Sequence, residues 1–305
     1  RDHNLLKINY CKLLMLYKKK HQNPFFKKLL DFFLASKNHI MKTVVNYTCL
    51  LIFTFIFPSS VYSQVTKDTR LVSQPAVSSN QIAFVYAEDL WVANIDGSNP
   101  KRLTIDEGIE SNPVFSPDGK HIAFNAEYDG NRDVYIISSK GGIPKRLTWH
   151  PGIDLVQDFS PNGKKVLIAS RRSSHTNRYF QLFEVPSSGG SPVKSKVPNA
   201  FWATYSDNGK SFAYTPLYEA FGQWKHYRGG MQSRIWVYNK QTHKVDEISK
   251  PKGGSNDTKP QWMDGKVYFR SDRNGEFNLF SFNVASKQLK QLTNFKDFPV
   301  LNLQA

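Results

Sequence analysis

Phe115-Ser116-Pro117-Asp118-Gly119-Lys120 returns 44 residues later as Phe159-Ser160-Pro161-Asn162-Gly163-Lys164, and 46 residues after that as Tyr205-Ser206-Asp207-Asn208-Gly209-Lys210. Proline presets the bend, aspartate or asparagine tolerates the left-handed region, and glycine supplies a positive φ, so the motif joins two antiparallel strands through a tight turn. An apolar stretch follows each copy: His121 to Asn125, Lys165 to Ala169 and Ser211 to Thr215. A degenerate fourth copy, Trp262-Met263-Asp264-Gly265-Lys266, precedes Val267 to Arg270.

Two more phases keep step with the turn. Triplets ending in an aromatic recur at Asp89-Leu90-Trp91, Asp133-Val134-Tyr135, Gln181-Leu182-Phe183, Arg234-Ile235-Trp236 and Asn278-Leu279-Phe280. Units close on Lys101-Arg102-Leu103-Thr104, Lys145-Arg146-Leu147-Thr148 and Lys290-Gln291-Leu292-Thr293. A hairpin, a polar connection, a third strand, a Gly-rich turn and an outer strand make four strands per forty-odd residues, which is the period of a propeller blade. One such sheet cannot cover both its faces, so neighbouring blades must pack around an axis. The sequence therefore predicts an all-β β-propeller with blades at about 74–104, 109–148, 153–197, 199–249 and 257–293. Residues 294–305 read as the linker and first strand of a sixth. Helix-length amphipathic patterns are missing from residue 65 onward, which excludes α/β and bundle architectures.

Composition divides the chain further. Half of the formal net charge of +16 lies in residues 1–64, which hold 10 basic and 2 acidic residues, and both cysteines, Cys11 and Cys49, lie there too. The body thus has no thiol for a disulfide or a cysteine metal site. Residues 1–40, with Lys18-Lys19-Lys20 and Phe25-Phe26, follow no repeat and read as a non-native or over-extended leader. From Met41 a basic Lys42, the apolar run Cys49 to Phe57, the breaker Pro58 and small residues before Gln64 have the layout of a secretory signal peptide over 41–64. That run is shorter than the ~20 apolar residues of a membrane-spanning helix. Residues 65–305 are then an exported, incomplete six-bladed propeller in the periplasm or cell envelope.

Between the second and third strands of the fourth blade lies an insert, Tyr218 to Ser233, that contains Trp224-Lys225-His226-Tyr227-Arg228-Gly229-Gly230. Its aromatics read as packing against the blade and its paired glycines as a reversal, with Lys225 and Arg228 as candidates to meet an anionic group such as a peptide carboxylate. Arg171-Arg172, after the second strand of blade three, is a second candidate because guanidinium forks suit carboxylates; its alternative is a solvated connection.

The insert, followed by Ile235-Trp236 in a propeller with Asp89-Leu90-Trp91 in its first blade, resembles the tricorn protease family over residues 65–305. The resemblance implies a serine peptidase of oligopeptides whose first propeller is a substrate gate or filter, followed by a second propeller, a PDZ-like module and a catalytic domain. No catalytic residue is carried over, because none of those later parts has positions in these residues. Implied partners are peptide substrates, the remaining protease domains and a homo-oligomer. Archaeal members carry an arginine pair in the loop entering the third blade, where this sequence has Thr148-Trp149-His150-Pro151, and cytoplasmic members lack the export signal, so a cytoplasmic location stays as the alternative. Ser-Pro-Asp-Gly turns are also shared with the Tol-system periplasmic propeller. A non-enzymatic envelope scaffold that binds protein partners is the second reading.

Other chemistry finds little footing. His121, His150, His175, His226 and His243 are scattered beside turns and read as surface residues. No metal or cofactor is expected, the acidic Asp106, Glu107, Asp129 and Asp133 lacking a calcium-loop pattern. There is no Gly-x-Ser-x-Gly elbow or phosphate-cradling loop. The scattered charge of the body does not suit nucleic acid.

Overall fold

The computed structural model describes residues 71–175, 179–219 and 226–304. The leader, the signal-peptide segment, Trp224 and Lys225 lie outside them. Among the described residues there are twenty strands and no helix, arranged as five antiparallel four-stranded sheets, each in simple chain order.

The first blade is β1 (Ser73–Val77), β2 (Gln81–Tyr86), β3 (Asp89–Asn94) and β4 (Lys101–Arg102). The second is β5 (Glu110–Phe115), β6 (His121–Ala126), β7 (Asp133–Ser138) and β8 (Lys145–Arg146). The third is β9 (Asp154–Phe159), β10 (Lys165–Ser170), β11 (Gln181–Pro186) and β12 (Val193–Lys194). Blade four comprises β13 (Ala203–Tyr205), β14 (Ser211–Tyr214), β15 (Trp236–Asn239) and β16 (Val245–Glu247). Blade five comprises β17 (Asp257–Met263), β18 (Lys266–Ser271), β19 (Asn278–Asn283) and β20 (Leu289–Gln291).

The repeated turn works through its serine. Ser116 Oγ accepts from the His121 N–H at 3.0 Å and donates to Asp118 Oδ1 at 2.6 Å, while the Ser116 carbonyl accepts from Gly119 N at 2.8 Å. Ser160 and Ser206 repeat the set with Asn162 and Asn208, and Gly119, Gly163 and Gly209 share a φ of 67–68°. Blade one uses a form the sequence hides: Ser78 Oγ accepts from Gln81 N at 3.1 Å in Val77-Ser78-Ser79-Asn80-Gln81.

Period-2 alternation sends the two faces of each inner strand to different neighbours. On β6, Ile122, Phe124 and Ala126 pack with Leu90, Val92 and Leu103 of blade one, while Ala123 packs with Val156, Val166 and Ile168 of blade three. Two more cores join blade three to four around Leu182, Phe201 and Phe212, and four to five around Ile235, Phe269 and Phe280.

The closing Leu-Thr motif has one job in three blades. The Thr104, Thr148 and Thr293 hydroxyls accept from the N–H groups of Leu90, Val134 and Leu279 at 2.9, 3.0 and 2.9 Å. The leucine before each fills the gap to the next blade: Leu103 is 8% and Leu147 0% exposed, whereas Leu292 of blade five is 40% exposed. At the rim, Lys101 Nζ donates to the Lys140 carbonyl of the next blade at 2.5 Å, and Lys145 reaches the Ser188 carbonyl likewise. Linkers also repeat one bond: Glu110 N donates to Glu88 O, Asp154 N to Arg132 O, Ala200 N to Phe180 O, Asp257 N to Ser233 O and Val300 N to Phe277 O, at 2.8–3.1 Å.

Candidate functional site

Because the strands of each blade run up and down in turn, the second-to-third connections and the blade-to-blade linkers emerge on one face and the Ser-Pro-Asx-Gly turns on the other. Arg171, Arg172 and Arg228 are all on the connection face.

Arg172 is no solvated residue. Its Nη2 donates to Asp154, the first residue of β9, and its Nε to Ser170 Oγ at 3.1 Å. Blade five repeats the trio: Arg273 Nη2 donates to Asp257 Oδ2 at 2.8 Å and its Nε to Ser271 Oγ at 3.1 Å. Asp154 and Asp257 are fully buried. Arg171 instead lies over Phe180, with Cζ 4.3 Å from the ring centroid, and its buried Nε has no hydrogen-bond partner among the described residues.

Blade two has the same place filled differently. Glu110 stands where Asp154 and Asp257 stand, and Tyr128 replaces the arginine, its hydroxyl donating to Glu110 Oε1 at 2.6 Å. Without a cation, burial pushes the Glu110 carboxyl up to about 7 against the lowering effect of that bond.

Arg228 fastens the end of the insert to blade five. Its Nη1 donates to Asp272 Oδ2 at 2.7 Å, Asn256 donates to the same carboxylate from its backbone (2.7 Å) and its amide (3.0 Å), and His226 Nδ1 lies 3.3 Å away. Burial pulls Asp272 upward, but the bonds from Arg228 and Asn256 outweigh it and hold the carboxyl below its ordinary value. His226 also stacks on Phe277, 6.5 Å between centroids at 12°. Among the described residues no hydrogen bond or ion pair joins Arg228 to the Arg171-Arg172 pair. His121, His175 and His243 are exposed and His150 and His226 half-buried. No group of three His, Cys, Asp or Glu among the described residues could hold a metal ion.

A second candidate lies on the axis. The inner strands β1, β5, β9, β13 and β17 and residues 302–304 line one cleft of about 120 Å³, walled by the carboxamides of Gln74, Asn112, Gln157, Gln261, Asn302 and Gln304, with Trp202 and Lys259. Three of these strands bulge just before a proline, where Gln74, Asn112 and Lys259 adopt φ of 51, 57 and 51°. Proline disfavours that conformation in its predecessor, so the surrounding structure must impose it. The bulge turns these side chains to the next inner segment: Gln74 Oε1 accepts from Asn112 N at 2.7 Å, Asn112 Nδ2 donates to Val156 O at 2.5 Å, and Lys259 Nζ donates to Asn302 Oδ1. The series has no counterpart among the turn, triplet and Leu-Thr repeats. Its signal was present as Gln74-Pro75, Asn112-Pro113 and Lys259-Pro260, with Pro75 and Pro113 each three residues before the turn serine.

Comparison with known proteins adds a family. The model of the tricorn protease N-terminal beta propeller domain matches residues 69–305. A putative tricorn protease homolog 2 of Streptomyces coelicolor is 30% identical over 245 residues, covering 75% of this chain and 20% of that protein. The crystal structure of the tricorn protease superposes with a TM-score of 0.66 at 22% identity, over 75% of this chain and 23% of that one. The structure of putative TolB from Agrobacterium tumefaciens gives a TM-score of 0.58 at 18% identity, over 72% of this chain and 80% of that one. The chain spans about a fifth of the length of the curated tricorn relatives it matches.

Proposed function

This chain belongs to the family of tricorn protease N-terminal β-propeller domains, and we propose that it is the substrate-gating propeller of an exported tricorn-like serine protease that degrades oligopeptides. The observation that carries this reading is the meeting of all five inner strands at one amide-walled cleft on the axis. Carboxamides offer both donors and acceptors, so they suit the backbone of an unfolded chain whatever its side chains, while a folded domain is excluded by size. Chemistry on the peptide then belongs to residues outside this chain. Arg171 and Arg228 are proposed as contacts on the connection face, with Arg172 positioned through Asp154; Lys225, also proposed as a contact, lies outside the described residues. Met41 to Gln64 is proposed as the signal for export to the periplasm or cell envelope, and a homo-oligomer as the assembly.

The propeller is proposed to have a sixth blade beginning at Val300. In support, Val300 N makes the linker bond that opens blades two, three and five, Leu292 holds a place whose equivalents Leu103 and Leu147 are covered by the next blade, and Lys290 holds the place from which Lys101 and Lys145 bond to the next blade's backbone.

Sequencing the gene past Ala305 and assaying the complete product on short peptides tests the proposal. A sixth blade followed by a serine peptidase domain with oligopeptide hydrolysis is expected. A stop codon within one blade's length and no hydrolysis would overturn it in favour of an envelope scaffold, the reading favoured by the likeness to most of the TolB chain.

A further inference from the structure

Lys259 holds the same place in its blade as Gln74 and Asn112, and like them it reaches forward to the next inner segment. At the other two positions a carboxamide makes that reach, so the staple itself needs no charge. The ammonium has no carboxylate partner among the described residues, and no Asp or Glu lines the cleft. Its neighbours are the Trp202 ring, 5.2 Å from Nζ, and the Asn302 side-chain oxygen. Of three ammonium donors, one is used.

The nearest charges do not compensate it. Arg270 adds a second cation, and the Glu219 carboxylate is bonded to Arg270 at 3.3 Å. Burial lowers the Lys259 pKa, as expected of an ammonium removed from water without a counter-ion. Beside it, the Gln261 and Gln304 carboxamides have no side-chain hydrogen bond among the described residues and are open to an incoming chain.

We infer that Lys259 is the anchor of a carboxylate-binding site in the axial cleft, taking the carboxylate of a peptide while the surrounding amides hold its backbone. The word peptide rests on the gating function proposed above; the charge complementarity does not. A carboxylate entering the cleft gains a charge-assisted hydrogen bond to a partly desolvated ammonium and meets no like charge. The source of the carboxylate, a chain terminus or an acidic side chain, is left to the probes.

The test uses the 305-residue chain and its Lys259→Gln variant, which installs the side chain that Gln74 supplies in blade one and so keeps the staple. Fluorescein-labelled trialanine with a free C-terminus, the same peptide amidated, and amidated Ala-Glu-Ala are titrated by anisotropy. At least one carboxylate peptide is expected to bind the parent about tenfold more tightly than the neutral one, with the preference lost in Lys259→Gln. Equal binding of all three peptides to the parent overturns the site while leaving the gate intact. A preference that survives in Lys259→Gln places the anchor elsewhere and also overturns it. Absence of binding by every peptide overturns site and gate together. A second measurement needs no variant: adding acetate is expected to raise the Lys259 pKa followed by nitrogen NMR, and an unmoved titration refutes the anchor.

Discussion

Arg273 donates to the buried carboxylate of Asp257 at 2.8 Å, and Arg172 meets Asp154 in the same way two blades earlier. The pairs lie between the first strand of a blade and the end of its second, where a serine, Ser271 or Ser170, positions the guanidinium. An arginine that sequence reading offers to a ligand is thus already held by an acid inside its own blade.

Removing one partner of such a pair strands a buried charge, which costs about 3–5 kcal/mol. Arg172→Ala and Arg273→Ala are expected to lose stability on that scale in urea unfolding. Arg171→Ala gives up a stack on Phe180 and is expected to lose about 1 kcal/mol or less. Equal losses at Arg171 and Arg172 would show that the two act as one unit.

Glu110 sets a pH dependence of the opposite sign to the usual acid. Its folded pKa of about 7 lies above its ordinary 4.5, so the native state binds the extra proton. The penalty for ionising it is absent below about pH 4.5 and complete above about pH 7, and stability from this group falls as pH rises through that window. A shift of this size corresponds to about 3 kcal/mol at most. Glu110→Gln is expected to flatten the slope between those limits, and Tyr128→Phe to steepen it by removing the larger of the two side-chain bonds, from Tyr128 and Thr104, that favour the anion.

Glu184 runs the other way. Burial pulls its carboxyl upward, but hydrogen bonds from Lys165 (2.6 Å), Lys240 (2.7 Å) and Tyr205 (2.9 Å) outweigh this and hold it at about 2. Its contribution is complete above about pH 4.5 and disappears as pH falls toward 2. Glu184→Gln is expected to cost about 2 kcal/mol at pH 7 and nearly nothing at pH 2, read from thermal unfolding at both.

Leu147 and Leu292 test whether another blade follows. Leu147→Ala empties a fully buried site and is expected to cost about 3 kcal/mol. Leu292→Ala is expected to cost well under 1 kcal/mol in the 305-residue chain, because the side chain is 40% exposed, and to approach the Leu147→Ala loss in the complete gene product. A small loss in both contexts would argue against a sixth blade over that face.

The blades were legible because their chemistry is local. A Ser-Pro-Asx-Gly turn is closed by its own serine, and Leu103-Thr104 or Leu147-Thr148 recurs in step with it, each threonine bonding the third strand of its own blade 14 residues back. All five triplets ending in Trp, Tyr or Phe fall at third strands. What remained hidden depends on residues brought together by pairing. Nothing in Arg171-Arg172 announces that the second member will meet Asp154, 18 residues earlier, and nothing in Ser271-Asp272-Arg273 announces that Asp272 will receive Arg228 from the insert 44 residues away. The first blade's turn is harder to read because Ser78-Ser79-Asn80-Gln81 keeps the serine and the Asx residue but lacks the proline and glycine of the motif.

The rim lysines carry a last implication. Lys101 and Lys145 each reach forward to a carbonyl of the succeeding sheet, and Gln74 and Asn112 do so near the axis. Blades one and two therefore finish their bonding only after their successors have been synthesised and docked, which gives the wheel a direction of growth from the ribosome outward. Amides at the trailing sheet should be the first to exchange with deuterium, and protection should advance around the ring as each new sheet is added.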